Sequence, residues 1–104
     1  MTDIAQYDVM VIGSGSGAEI VDSALQEGLR VAYVDRGPLG GTCANVGCIP
    51  TKMIIYPADI VMELRESARL GLTAELRAAD FRGIMRRVRN YVDHERLHME
   101  QALR

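Results

Sequence analysis

The stretch YDVMVIGSGSGAEIVDSALQEGLRVAYVD, Tyr7–Asp35, decides the fold. Tyr7 to Ile12 is a short apolar run rich in branched residues and closed by Gly13, so it reads as a buried parallel strand at the centre of a sheet. Ala18 to Glu27 then carries helical spacing through Ile20, Val21, Ala24 and Leu25 and stops at Gly28. Arg30 to Asp35 reads as a second strand. Strand, helix and strand together span about thirty residues, the size of a right-handed βαβ crossover, and predict an α/β chain.

Between the first strand and the helix lies Gly13-Ser14-Gly15-Ser16-Gly17-Ala18. A G-x-G-x-x-A turn at this place suits a dinucleotide. Gly13 allows the tight turn, Gly15 lets a pyrophosphate approach the backbone, and Ala18 lets helix and strand pack closely. The helix N-terminus offers oriented N–H groups to an anion. Asp35, twenty residues beyond Gly15, can accept from a ribose hydroxyl. The fingerprint in isolation does not separate NAD from FAD.

After a glycine- and proline-rich stretch, Arg36 to Thr42, which predicts a loop, comes GGTCANVGCIPTK, Gly40 to Lys52. It holds the two cysteines of the chain and its single lysine. Gly47 directly before Cys48 and Pro50 after it suit a tight ring between Cys43 and Cys48 at the start of a helix. A thiol near a helix N-terminus and a cation has a lowered pKa, and Lys52 falls one helical turn after Cys48. The block predicts a redox dithiol.

With the glycine turn before it, this block resembles the N-terminal part of the flavoprotein disulfide reductases, the family of dihydrolipoamide dehydrogenase, glutathione reductase, mycothione reductase and mercuric reductase. The resemblance implies a Rossmann-like FAD-binding fold whose first βαβ unit holds the adenosine diphosphate part of FAD. Gly13, Gly15, Ser16, Gly17, Asp35 and Arg36 would then face the nucleotide, and Gly41, Thr42, Cys48 and Lys52 the rest of the cofactor. Cys43 is implied to be the thiol that meets the disulfide substrate, Cys48 the thiol against the flavin, and Lys52 a neighbour of the reactive flavin edge. Family members more often carry glutamate at the position of Asp35. Gly-Ser-Gly-Ser-Gly with Asp22, and Thr51-Lys52-Met53 before Tyr56, are closer to mycothione-reductase-like and dihydrolipoamide-dehydrogenase-like members than to glutathione reductases.

The resemblance covers essentially all of residues 1–104 and about the first quarter of a family member. It implies that this is the N-terminal portion of an FAD/NAD(P)-binding domain. The NAD(P) domain, the dimerisation domain and its catalytic histidine would lie elsewhere. The whole enzyme would be a homodimer that passes electrons from NAD(P)H through FAD to a small-molecule disulfide or lipoyl substrate, and this segment alone would be inactive. The alternative is a stand-alone nucleotide-binding or interaction module without catalysis. Exposed apolar surface discriminates the two.

Composition bounds the remaining classes. At 104 residues, 48% hydrophobic and 25% charged, the default is one small globular piece with a modest core. A formal charge of −2 gives no field that favours nucleic acid. The apolar run Val9 to Ile12 is too brief for a membrane span or signal core, which reads as cytoplasmic. His94 and His98 have i, i+4 spacing on a helix, but forty-five residues separate Cys48 from His94, so no metal is expected. Arg86, Arg87 and Arg89 read as a solvated helix face. Helical periodicity runs from the cysteines to Gly71 with a bend or interruption at Pro57, and again from Asp80, a candidate cap, to Leu103.

Overall fold

The computed structural model describes residues 4–103. Strand β1 (Val9–Ile12), helix α1 (Ala18–Gln26) and strand β2 (Val31–Val34) form the expected βαβ unit, followed by α2 (Gly41–Asn45), α3 (Cys48–Glu66), a 3-10 turn (Ser67–Leu70) and α4 (Phe81–Ala102). The strands are parallel, with Val9 opposite Val31 and Ile12 opposite Val34. Asp8 fixes their start: its carboxylate accepts the Arg30 amide at 2.8 Å and pairs with the guanidinium at 3.2 Å. Helix α1 closes with Gly28 at φ +74, whose N–H donates to Leu25 O while Leu29 N–H donates to Ala24 O. This paired cap satisfies carbonyls that a helix end leaves open.

Val21 and Ala24 on α1, Val11 on β1 and Val88 on α4 are the buried apolar residues among those described. The sheet face opposite α1 is bare, with Met10 63% and Ile12 81% exposed. β1 is therefore not buried on both sides as its composition predicts, because α1 covers one face and no described element covers the other. The chain measures 75 × 26 × 17 Å with a radius of gyration of 20.8 Å, against roughly 13 Å for a compact domain of this length. Its accessible surface is 8701 Å², where a compact 11.5 kDa monomer has roughly 5,800 Å². One small globular piece is thus not what forms: helices α3 and α4 extend away from the βαβ unit and lie along each other.

Two further expectations change. The predicted loop ends at Gly40, since Gly41 and Thr42 already belong to α2. Of the bend or interruption expected at Pro57, the interruption does not occur: helix α3 runs continuously from Cys48 to Glu66. The ring nitrogen cannot donate to Met53 O, but the Arg87 side chain does so from α4, at 3.3 Å. Asp80 caps α4 as its position predicts, accepting the Gly83 amide at 2.9 Å.

Candidate active site

Three segments converge at one end of the βαβ unit: the turn after β1, the end of β2, and the start of α2. Gly13 leaves β1 at φ +99 and donates to Val34 O at 2.8 Å, so the turn grips the neighbouring strand. A Cβ on Gly13 would meet nothing within 4 Å, and one on Gly15 only Gly41 Cα at 4.0 Å. Gly13 thus opens onto free space while Gly15 lies against Gly41, and Ser16 and Gly17 lead into α1. Gly17 also lies at a close helix–strand approach, because a Cβ there would lie 2.8 Å from Val11 Cγ1 and 2.9 Å from Gly13 O.

Asp35 closes β2 beside a cleft of about 330 Å³ formed with Ile12, Gly13, Val34 and Arg36. Its carboxylate is already engaged. Oδ2 accepts the Ser14 hydroxyl and, at 2.7 Å, the Ser14 amide, and Oδ1 accepts the Gly37 amide at 2.8 Å. These donors, the Ser14 hydroxyl foremost, hold Asp35 at about 2, below the usual carboxylate range.

The cysteine block is seated directly on the glycine turn. Gly41, at φ +65, approaches Gly15 so closely that a Cβ would lie 2.6 Å from Gly15 Cα and 3.0 Å from its nitrogen. Asn45 braces this entry, its Nδ2 donating to Leu39 O at 2.9 Å and Gly41 O at 2.8 Å. Cys43 lies within α2 and Cys48 opens α3, with Gly47 between the helices. Any side chain at Gly47 would strike Thr42 O at 2.9 Å and Cys43 Cα at 3.3 Å. The resulting turn holds two free, solvent-exposed thiols at the facing ends of α2 and α3, close enough for one to affect the other's proton.

Cys48 affects the proton of Cys43. The hydrogen bond with Cys48 pushes the Cys43 thiol above its ordinary value, and desolvation and the Cys48 charge act in the same direction. The Cys48 amide and the Lys52 ammonium oppose the shift but are weaker. Lys52 stands one turn into α3.

Residues 7–102 match the family described as pyridine nucleotide-disulphide oxidoreductase. This chain belongs to that family. It is 39% identical over 87 residues to a mycothione reductase of Mycobacterium tuberculosis, covering 84% of this chain and 19% of that protein. It is 34% identical over 89 residues to a dihydrolipoyl dehydrogenase of Bacillus subtilis, covering 85% and 19%, and 31% identical over 80 residues to a mercuric reductase of Lysinibacillus sphaericus, covering 76% and 15%. The chain therefore spans about a fifth of the length of these curated relatives.

The histidines stand apart from the oxidoreductase block. Among the described residues no three His, Cys, Asp or Glu side chains gather to hold a metal, and His94 Nδ1 lies 3.6 Å from Glu95 on exposed α4. No helix among them is long and apolar enough to cross a membrane. Ser14 and Asn45 lie outside the predicted site. Ser14 occupies a variable position of the fingerprint, and Asn45 acts through backbone carbonyls that no motif specifies.

Proposed function

We propose that this chain is the N-terminal FAD-binding, redox-dithiol segment of an NAD(P)H-dependent flavoprotein disulfide oxidoreductase of the dihydrolipoamide dehydrogenase and mycothione reductase type. The observation that carries the reading is the backbone contact of Gly41 with Gly15, which seats the dithiol against the nucleotide-type turn. The open space over Gly13 and the cleft at Asp35 and Arg36 suit a nucleotide diphosphate, with N–H groups at the start of α1 available to the phosphates. Ser16 and Gly17 would line that approach. Gly41 and Thr42 would continue it toward Cys48 and Lys52. When bound, FAD supplies two-electron exchange between a reduced nicotinamide cofactor and the dithiol.

The steps of this chain are thiol–disulfide exchange. Cys43 Sγ, as thiolate, bonds to one sulfur of a disulfide substrate and expels the other as a thiolate. Cys48 then bonds to Cys43 Sγ and releases the remaining substrate thiol, leaving the intramolecular disulfide. The tight turn at Gly47 between α2 and α3 keeps the resolving Cys48 near Cys43 for the second step. Lys52 supplies positive charge near both sulfurs.

The NAD(P) and dimerisation domains belong to the remainder of such an enzyme, a cytoplasmic homodimer acting on a small-molecule or lipoyl disulfide. A core of four buried apolar residues and a bare sheet face favour this over a stand-alone binding module. The test is to mix the purified chain with FAD, desalt it and record the visible spectrum. Flavin absorbance travelling with folded protein is expected, and complete separation from folded protein counts against a flavin site within this segment.

A further inference from the structure

Ser14 is the one buried polar side chain among the described residues, 3% exposed, and the nucleotide-turn reading gives it no task. Its hydroxyl donates to Asp35 Oδ2 and accepts the Gly40 amide at 3.1 Å, while its own amide donates to the same carboxylate oxygen. Gly40, at φ +103, is the residue from which α2 starts, and α2 carries Cys43. A Cβ on Gly40 would meet Met99 Cε at 2.7 Å and Ala44 Cβ at 3.0 Å, so this backbone has no slack on its other side. One oxygen thus joins the carboxylate at the end of β2 to the entry of the cysteine helix. Replacing it by hydrogen leaves the Gly40 N–H without its acceptor and Asp35 Oδ2 with one donor fewer.

We propose that Ser14 is a positioning residue for the dithiol: by tying Gly40 to Asp35 it holds α2 where the Cys43 sulfur meets Cys48. The link presupposes the redox role proposed above for the two cysteines and does not require a bound nucleotide. Its consequence is thermodynamic. Intramolecular disulfide formation scales with the effective concentration of one thiol at the other, so loosening α2 disfavours the disulfide and makes the pair easier to reduce.

The reduced 104-residue chain is equilibrated with oxidised and reduced dithiothreitol, quenched with acid, alkylated and read by mass. The S–S bond of oxidised dithiothreitol breaks as the Cys43–Cys48 bond forms, and two electrons and two protons pass to dithiothreitol. Ser14→Ala is expected to lower the equilibrium constant for the protein disulfide roughly threefold or more, with each tenfold equal to about 30 mV. Ser14→Thr, which keeps the hydroxyl, restores it. Val21→Ala, a loss of buried packing on α1 away from the link, leaves it unchanged. Equal constants for wild type and Ser14→Ala overturn the link, as does an equal fall in Val21→Ala. A wild-type chain that forms no intramolecular disulfide overturns the redox reading itself, and the link with it.

Discussion

Arg87 Nη2 donates to Met53 O at 3.3 Å, joining α4 to α3. Met53 is four residues before Pro57, so its carbonyl is the one in the middle of α3 from which proline withholds the helical donor. The guanidinium replaces the missing N–H from outside the helix. One contact thus links the open carbonyl at Pro57 to the packing of α4 on α3.

Arg87→Ala is expected to destabilise the chain by about 1 kcal/mol, the ordinary net worth of a hydrogen bond at a solvent-accessible site. Pro57→Ala restores the backbone donor, so the same arginine substitution in that background should cost clearly less. Urea denaturation followed by far-UV circular dichroism measures all four corners of the cycle. An identical cost in both backgrounds would mean that Arg87 acts through something other than the Met53 carbonyl.

Two glycines with similar φ separate backbone strain from steric exclusion. Gly28→Ala, at φ +74 with open space around its Cβ, should lose about 1 kcal/mol for the left-handed conformation. Gly41→Ala adds a collision with Gly15 backbone to a similar strain at φ +65, and is expected to cost roughly 2 kcal/mol more and to separate the cysteine block from the turn. Melting temperatures of the two variants decide it, and equal losses would show that the Gly15–Gly41 approach relaxes at little cost.

Asp35 predicts an acid limb of stability. Its carboxyl is held at about 2 in the folded chain against 3.8 ordinarily, so the folded state binds its proton more weakly than the unfolded state. The stabilisation is complete above about pH 4 and fades as pH falls toward about 2. Asp35→Asn should flatten the pH dependence of urea midpoints across that window. A slope that persists undiminished would assign it to other carboxylates, with Asp8, also lowered by its Arg30 partner, the first to examine.

The βαβ unit, the glycine turn and the Asp80 cap were legible because each is written in local spacing: branched runs, glycines at fixed offsets, and a capping side chain three residues from its donor. The cysteine block was legible for the same reason, as was membership in the oxidoreductase family. What escaped depends on partners distant in sequence. Pro57 reads locally as a bend or interruption, and the donor that reaches the carbonyl it leaves open, Arg87, lies 34 residues from Met53. Ser14 looks like a spacer until Asp35 and Gly40 are brought to it. The close approach of Gly17 to Val11 shows only once helix and strand are packed together. The compact shape expected from length fails since the apolar surface of β1, α3 and α4 exceeds what 104 residues can cover.

The cysteine pair yields the last prediction, and its sign runs opposite to that of Asp35. Cys43 is pushed upward chiefly because the protonated thiol is hydrogen-bonded to Cys48, and ionising it breaks that bond or sets two sulfurs in repulsion. The folded chain thus holds this proton more tightly than the unfolded chain. The resulting stabilisation is full below the ordinary thiol pKa and is lost as pH rises through the raised value. Because thiolate is the reacting form, iodoacetamide should label Cys43 slowly at neutral pH in the reduced chain, with a rate that climbs only in alkali. Cys48→Ala removes the principal cause while leaving Lys52 in place, so the Cys43 labelling profile should move to lower pH. Peptide-resolved mass spectrometry of pulse-alkylated protein gives both profiles. A midpoint that stays fixed or moves upward in Cys48→Ala would show that desolvation, rather than the paired sulfur, governs Cys43.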